Sequence, residues 1–251
     1  MKYIIVILVF LSSSLSYGFT LLTQSPTRYS VDEVIFNVAN DDCLTVGLSP
    51  ETLLDLVESS MLTYWNSVPT SRIKFIRGGV TTASANGETS IGNFIANSGS
   101  VNTIIVGCNN DFGSSAGKGG FSSTSTSILG GLLINDNSQV AAMTEQQRKA
   151  LIAHEIGHAF GLGHSNFDAS LMHYTLNNNI KQLSRDDEDG ISYLYPNTKK
   201  LGGCGTIEYI SPAKNNQEEL KAILSFTLIL GLIPLFGMGF QYFQPKRNLI
   251  N

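Results

Sequence analysis

The chain has 251 residues and a formal net charge of −4, a size that suits one folded domain with appended segments. Its acidic balance and the absence of a long basic stripe in the sequence exclude nucleic-acid binding as the main role. Hydrophobic residues make up 42% of the chain, enough for a core, and charged residues only 14%; part of this imbalance comes from the two ends, which are strongly apolar. Gly, Ser, Thr and Asn are abundant between those ends, which predicts strands and long loops rather than a helical bundle.

Residues 1–18 have the pattern of a secretory signal peptide. Lys2 supplies the positive start, an apolar run follows it, and small residues up to Gly18 precede a cut before Phe19. The alternative is an uncleaved N-terminal anchor, which the shortness of the apolar run disfavours. A short N-terminal segment, residues 19–28, would then lead into the folded domain.

The folded domain is predicted over residues 29–197. A first strand at Val34–Val38 precedes an amphipathic helix at about Pro50–Asn66, which Ser49 caps. Trp65, the single tryptophan, is predicted to lie in the core between this helix and the sheet. Three more strands are predicted at residues 73–76, 102–107 and 129–136. The polar stretches 81–100 and 111–126 are predicted to be loops.

The three cysteines lie far apart and form no CxxC pair. An exported chain permits a disulfide, and Cys43 with Cys108 is the favoured pair because both fall inside the folded domain. Cys204 would be left over. The alternative is three buried or unreactive thiols.

Two further helices follow. Thr144 and Gln147 form a capping box, so the central helix is predicted from Glu145 to about Gly161. Ser184 opens a last helix that has several acids in its first turn and stops at Pro196.

The C-terminal part predicts a membrane tether. A polar linker at residues 198–221 leads to residues 222–243, which carry no charge and are long enough to cross a bilayer. Positive residues in the tail, residues 244–251, predict that the tail is cytoplasmic and the domain extracytoplasmic. A buried core helix is the alternative, and Pro234 disfavours it. A cleaved lipid-anchor signal is disfavoured because charges follow the apolar run.

The central helix carries the chemistry. His154 and His158 are four residues apart and so share one helix face, and Gly161 lets the chain turn so that His164 reaches back to them. Three neutral imidazoles with an open fourth position are the ligand set of a catalytic zinc ion. Glu155 could take a proton from zinc-bound water as that water attacks a carbonyl. The alternative is a surface helix that happens to be rich in histidine.

The pattern HExxHxxGxxH with a downstream methionine resembles the metzincin metalloproteases. Ser165 after the third histidine, the run Ser170-Leu-Met172, and residues 183–195 are similar to the matrixin branch. The resemblance implies an α+β fold, with a twisted, mostly parallel five-stranded sheet packed on two long helices and a C-terminal helix after the methionine turn. It also implies that Met172 supports the metal site from beneath rather than binding the ion.

The chain departs from the matrixin pattern in two places. The PRCGxPD latency motif does not occur, so a cysteine-switch zymogen is not expected. Met172-His173-Tyr174 looks more like the astacin type of turn, which makes Tyr174 a candidate extra ligand or donor to the developing oxyanion. A packed aromatic side chain is the alternative for Tyr174, and His173 is expected to be a turn residue. Calcium is possible, but no pattern supports it.

These features predict a zinc-dependent endopeptidase that is held to a membrane by its C-terminal helix and cleaves extracytoplasmic proteins, in the periplasm or outside the cell of a bacterium. The resemblance also implies that an extended peptide substrate lies antiparallel along an edge strand at Leu129–Ile134. Two alternatives remain: a catalytically silent, zinc-holding adhesion or scaffold domain, and a protease restricted to self-processing or to one partner. The oligomeric state is not predicted.

Overall fold

A computed structural model describes residues 18–110, 113–124, 128–175 and 180–198. Apart from Gly18 and Thr198, the predicted signal peptide, linker, membrane span and cytoplasmic tail lie outside the described residues. Within those four ranges, no helix is both long enough and apolar enough to cross a membrane.

The domain is built on one five-stranded sheet. Its strands are β1 (Glu33–Val38), β2 (Lys74–Val80), β3 (Thr103–Asn109), β4 (Gly117–Ser123) and β5 (Ile128–Asn135). They lie side by side in the order β2-β1-β3-β5-β4. All neighbours are parallel except β4, which runs antiparallel to β5. The predicted mostly parallel five-stranded sheet is therefore confirmed.

Helices cover both faces of this sheet. They are α1 (Pro50–Thr63), α2 (Ile91–Ser98), the short α3 (Ser138–Ala141), α4 (Glu145–Ala159) and α5 (Arg185–Leu194). The main core lies under α1 and α4. The helix α2 covers the opposite face through a small cluster that includes Phe94, Ile105 and Leu133. The fold is thus α+β, as expected.

Local capping signals fix where the helices start. The Thr144–Gln147 capping box is present at the start of α4, and the Ser49 side chain accepts from the backbone N–H of Thr52 at the start of α1. Ser184 and Asp187 form a second capping box at α5. Each cap satisfies backbone N–H groups that have no partner within the helix.

Trp65 lies in the core as predicted, but its main polar contact is with α4. Its indole is fully buried, and Nε1 donates a hydrogen bond to the Ala153 carbonyl over 2.8 Å. The ring also meets Phe160 edge to face, with centroids 4.8 Å apart. Trp65 therefore holds α4 in place immediately before the first histidine of the motif.

Two of the predicted loops contain regular structure. The helix α2 lies in the predicted loop 81–100, because its two buried residues, Phe94 and Ile95, make too short a pattern to detect. The strand β4 lies in the predicted loop 111–126. Its sequence, GKGGFSS, lacks β-branched residues, so it forms by pairing with β5 rather than by strand propensity.

The presence of β4 means that β5 is not at the edge of the sheet. β5 lies between β3 and β4, so β4 is the edge strand. The prediction of an edge strand at Leu129–Ile134 is therefore wrong. The glycines of β4 have a packing reason: a Cβ on Gly119 would overlap the carbonyl group of Glu155 in α4. Glycine lets the helix lie directly against the edge strand.

The predicted disulfide is present between Cys43 and Cys108, whose Cα atoms are 5.5 Å apart. It joins the loop after β1 to the end of β3, and both cysteines are buried. Cys204 lies outside the described residues.

Replacing both Cys43 and Cys108 by Ala should lower the free energy of unfolding by about 2–4 kcal/mol. The bridge spans a sequence separation of 65, so it restricts the unfolded chain. Urea denaturation of the oxidised proteins measures the difference. Cys204→Ala is the matched control and should unfold at the wild-type midpoint, and an unchanged midpoint for the double variant would contradict the prediction.

Candidate metal centre

Three histidines converge at the end of α4. His154 and His158 lie on the buried face of the helix, and the chain leaves it through Gly161, whose φ is +114°. That angle is open to glycine and strained for other residues. His164 then returns towards the helix. One ring nitrogen from each histidine lies within 4.8 Å of the others, and the Nε2 atoms of His158 and His164 are 3.2 Å apart.

Backbone carbonyl groups orient two of the rings. Nδ1 of His154 lies 2.7 Å from the Leu171 carbonyl, and Nδ1 of His158 lies 2.8 Å from the Leu162 carbonyl. A carbonyl only accepts, so both Nδ1 atoms carry the proton and donate it. Nε2 of each ring is then left with a free lone pair, as metal ligation requires.

Burial keeps these rings neutral. It lowers the pKa of His154 to about 4 and that of His158 to about 3. Partial burial also lowers the pKa of His164. At neutral pH the cluster therefore presents lone pairs rather than positive charges.

The donor set fits a tetrahedral metal ion such as zinc. Two nitrogens bound to zinc at about 2.0–2.1 Å in tetrahedral geometry would lie about 3.3 Å apart. The His158–His164 pair, at 3.2 Å, already has that separation.

Glu155 lies beside this cluster. Its side chain lines the same cleft as His158 and His164. Burial raises the pKa of Glu155 to about 7, against the opposing effect of a hydrogen bond from the backbone N–H of Gly119. A carboxyl group with this pKa can both accept and release a proton near neutrality.

The methionine turn supports α4 from below. Met172 is buried, and a Cβ on Gly157 would overlap its sulfur atom. Gly157 lies between the two helical histidines, so the thioether packs directly under them. The neighbouring carbonyl of Leu171 is the acceptor for His154. The turn therefore supports the helix at the histidines through Met172 and orients the ring of His154 through the Leu171 carbonyl.

A buried carboxylate holds the methionine turn. Asp187 of α5 is 1% exposed. It accepts hydrogen bonds from backbone N–H groups and hydroxyl groups, namely those of Ser170, Leu171, Met172 and Ser184. The preceding acid, Asp186, supports the turn that carries His164, because it accepts a hydrogen bond from the buried hydroxyl of Ser165, 2.6 Å away.

The sequence predicts only that the acids of α5 complement the helix dipole. It does not predict their contacts with Ser165 and with the turn at residues 170–172. The one sequence signal for Asp187 is its place three residues after Ser184, the N3 position of a capping box. Nothing in the sequence indicates that the same carboxylate also reaches the turn at residues 170–172.

Tyr174 lies at the rim of the cleft, with 68% of its surface exposed. Its ring centroid is 4.3 Å from that of His173. His173 lies outside the three-histidine cluster, with Nδ1 3.0 Å from the Thr175 carbonyl. The described contacts do not place the Tyr174 hydroxyl at the imidazoles.

The cleft in front of the histidines has a volume of about 930 Å³ and is open to solvent. Residues 115–119 of the edge-strand region form one wall. Met143, Gln147 and Leu151 lie along α4 and the turn before it, and Leu22, His164 and Tyr174 also line the cleft.

Asp187→Asn should destabilise the domain by about 2–4 kcal/mol, because an amide NH₂ would face backbone N–H donors. It should also weaken metal binding by the three histidines about 10-fold or more, since the Leu171 carbonyl would no longer be held against His154. Urea denaturation and metal titration measure the two effects.

Asp189→Asn is the matched control on the same helix. Asp189 is exposed and lies 3.8 Å from Arg185, so its loss should change neither quantity appreciably. Equal behaviour of the two variants would contradict the supporting role of Asp187.

Known proteins resemble the part of the chain that contains this site. Residues 109–196 match the model of the matrixin family. Metalloendoproteinase 2-MMP from Arabidopsis thaliana is 39% identical over 57 residues, which cover 22% of this chain and 15% of the plant protein. The chain is therefore similar to matrixin metalloproteases over the segment with the three histidines, and the match spans far less than two thirds of that relative's length.

Proposed function

We propose that the protein is a zinc-dependent endopeptidase, with His154, His158 and His164 as metal ligands and Glu155 as the general base. The observation that carries the proposal is the convergence of three neutral imidazoles beside a buried carboxyl group in one open cleft. The similarity of residues 109–196 to matrixins supports the same reaction class.

The zinc ion would supply Lewis acidity, which polarises the scissile carbonyl and makes a water molecule acidic enough to react near neutral pH. The three histidines would hold the ion through Nε2, and the Leu171 and Leu162 carbonyls keep the rings of His154 and His158 in the required tautomer. Three histidine ligands are typical of zinc sites that keep one position for water or substrate.

Glu155 would move the proton. Its carboxylate takes a proton from the attacking water as the new C–O bond forms, and it then passes that proton to the amine when the C–N bond breaks. Gly117 and Gly119 make room for it: a Cβ on Gly117 would lie 3.0 Å from Cγ of Glu155. The Gly119 N–H holds the carboxylate where it can exchange that proton.

The substrate would be an extended peptide that pairs with β4. Within the described residues this strand is the last of the sheet on its side, and its residues 117–119 line the cleft. Backbone hydrogen bonds to an edge strand bind a peptide whatever its sequence, while side-chain pockets add preference. Tyr174, which also lines the cleft, is a candidate donor to the oxyanion.

We further propose that the domain works outside the cytoplasm on a membrane tether. The apolar run at residues 222–243 and the signal-like start at residues 1–18 support this location. The Cys43–Cys108 disulfide is consistent with an oxidising compartment.

Glu155→Gln should reduce cleavage of a quenched peptide library by about 10²–10⁴-fold while one equivalent of zinc stays bound, because the ligands are intact but the proton acceptor is lost. A chelator should abolish wild-type activity, and added zinc should restore it. Cleavage rates and metal content measure the two effects.

Glu145→Gln is the matched control, since Glu145 lies on the same helix but pairs with Lys149 at the surface, 2.7 Å away. It should keep full activity. Full activity in Glu155→Gln would overturn the mechanism. A wild-type protein that binds zinc but cleaves no peptide would favour a silent scaffold, and one that processes only its own chain would favour a restricted protease.

The tether makes a separate prediction. The full chain, expressed in a bacterium that exports it, should sediment with membranes and be released only by detergent. A variant that ends at Asn197 should be soluble, whereas a variant that lacks only residues 244–251 should stay in the membrane fraction. Recovery of the full chain in the soluble fraction would contradict the tether.

A further inference from the structure

The N-terminal segment, residues 19–22, lies along the turn that carries the third histidine. Leu21 and Leu162 form an antiparallel bridge. On either side of it, Leu22 N–H donates to the Gly161 carbonyl over 2.9 Å, and Gly163 N–H donates to the Thr20 carbonyl over 2.8 Å. The segment therefore pairs with the turn between α4 and His164 as a short added strand.

Thr20 also reaches His164 itself. Its hydroxyl donates a hydrogen bond to the His164 carbonyl over 2.6 Å. Gly163 fits this contact closely, because a Cβ there would overlap the Thr20 hydroxyl oxygen. The close approach therefore requires glycine at position 163, and the hydrogen bond requires a hydroxyl group at position 20.

The third imidazole depends on this support more than the first two. His154 and His158 are buried in α4, and backbone carbonyl groups hold their Nδ1 atoms. His164 is exposed, and it lies in the turn after α4 rather than in the helix. The contacts from Thr20 fix the backbone from which its ring projects towards His158.

The segment is itself anchored to the domain. The Phe19 ring packs against Tyr193 of α5, with centroids 5.5 Å apart, and against Gly190, where a Cβ would lie 3.2 Å from Phe19. Leu22, at the other end, is held by the hydrogen bond from its N–H to the Gly161 carbonyl. A segment held at both ends can keep Thr20 in register with the turn.

We infer that Thr20 is a positioning residue for His164, and that the N-terminal segment thereby raises the affinity of the three histidines for a metal ion. This inference rests on the proposed zinc-binding role. Thr20 touches neither metal nor substrate and acts through the backbone of the third ligand. Contacts of this kind orient ligands and tune metal affinity.

The test is a zinc titration of the metal-free full chain, in competition with a chromophoric chelator, for the wild type and Thr20→Val. Valine keeps the shape of threonine and removes the hydroxyl group. Zinc affinity should fall about 5- to 10-fold, as expected for loss of one hydrogen bond next to a ligand. The visible spectrum with Co²⁺ in place of zinc should change in shape.

Two variants serve as controls. Thr20→Ser keeps the hydroxyl group and should bind zinc like the wild type. Thr23→Val removes a hydroxyl just after this segment that makes only local hydrogen bonds, to the Ser25 carbonyl over 2.7 Å and with the Thr27 hydroxyl over 3.2 Å, and should also be unchanged. Melting temperatures of the metal-free proteins separate a general loss of stability from a specific loss of metal affinity.

Wild-type zinc affinity and an unchanged Co²⁺ spectrum in Thr20→Val would overturn the inference. So would an equal loss in Thr23→Val, or a loss that Thr20→Ser does not rescue. If the wild type itself binds no zinc, the proposed function fails, and the positioning role fails with it.

Discussion

The rest of the structure depends on one constraint: the buried imidazoles of the cluster need acceptors for their Nδ1–H groups, so that Nε2 of each ring stays free to bind an ion. For His154 and His158 these acceptors are carbonyls of the turns after α4, at Leu171 and Leu162. Buried rings with satisfied Nδ1 groups stay neutral and keep Nε2 free. The two turns must therefore be placed as accurately as the helix itself.

The helix α4 is placed by close backbone approach on two sides. Gly119 of the edge strand lets Glu155 lie directly against the sheet, and Gly157 lets Met172 pack under the histidines. Trp65 adds a hydrogen bond to the Ala153 carbonyl one residue before His154. These contacts tolerate little added volume, because protein interiors are close-packed. The same packing buries Glu155 and raises its pKa to about 7.

The two turns are placed by polar groups from distant segments. Asp187 holds the methionine turn, Asp186 holds Ser165, and Thr20 holds the turn at Gly163 and His164. The first two come from α5 and the third from the N-terminal segment. A buried carboxylate such as Asp187 is tolerated because donors satisfy both its oxygens. The candidate metal site is thus assembled by the whole domain, although its three histidines all come from one short stretch.

Much of this site could be read from local sequence, because its determinants are local. The spacing of His154 and His158 on a helix, the turn at Gly161 and the capping boxes at Thr144 and Ser184 each depend on residues within a few positions. Only the tertiary structure decided the position of the edge strand and the long-range contacts that support the histidines. The strand β4 consists of Gly, Ser, Lys and Phe, and it exists only because it pairs with β5 and packs on α4. The contacts of Asp187 and Thr20 join segments that are distant in the chain, so no local periodicity or motif could indicate them.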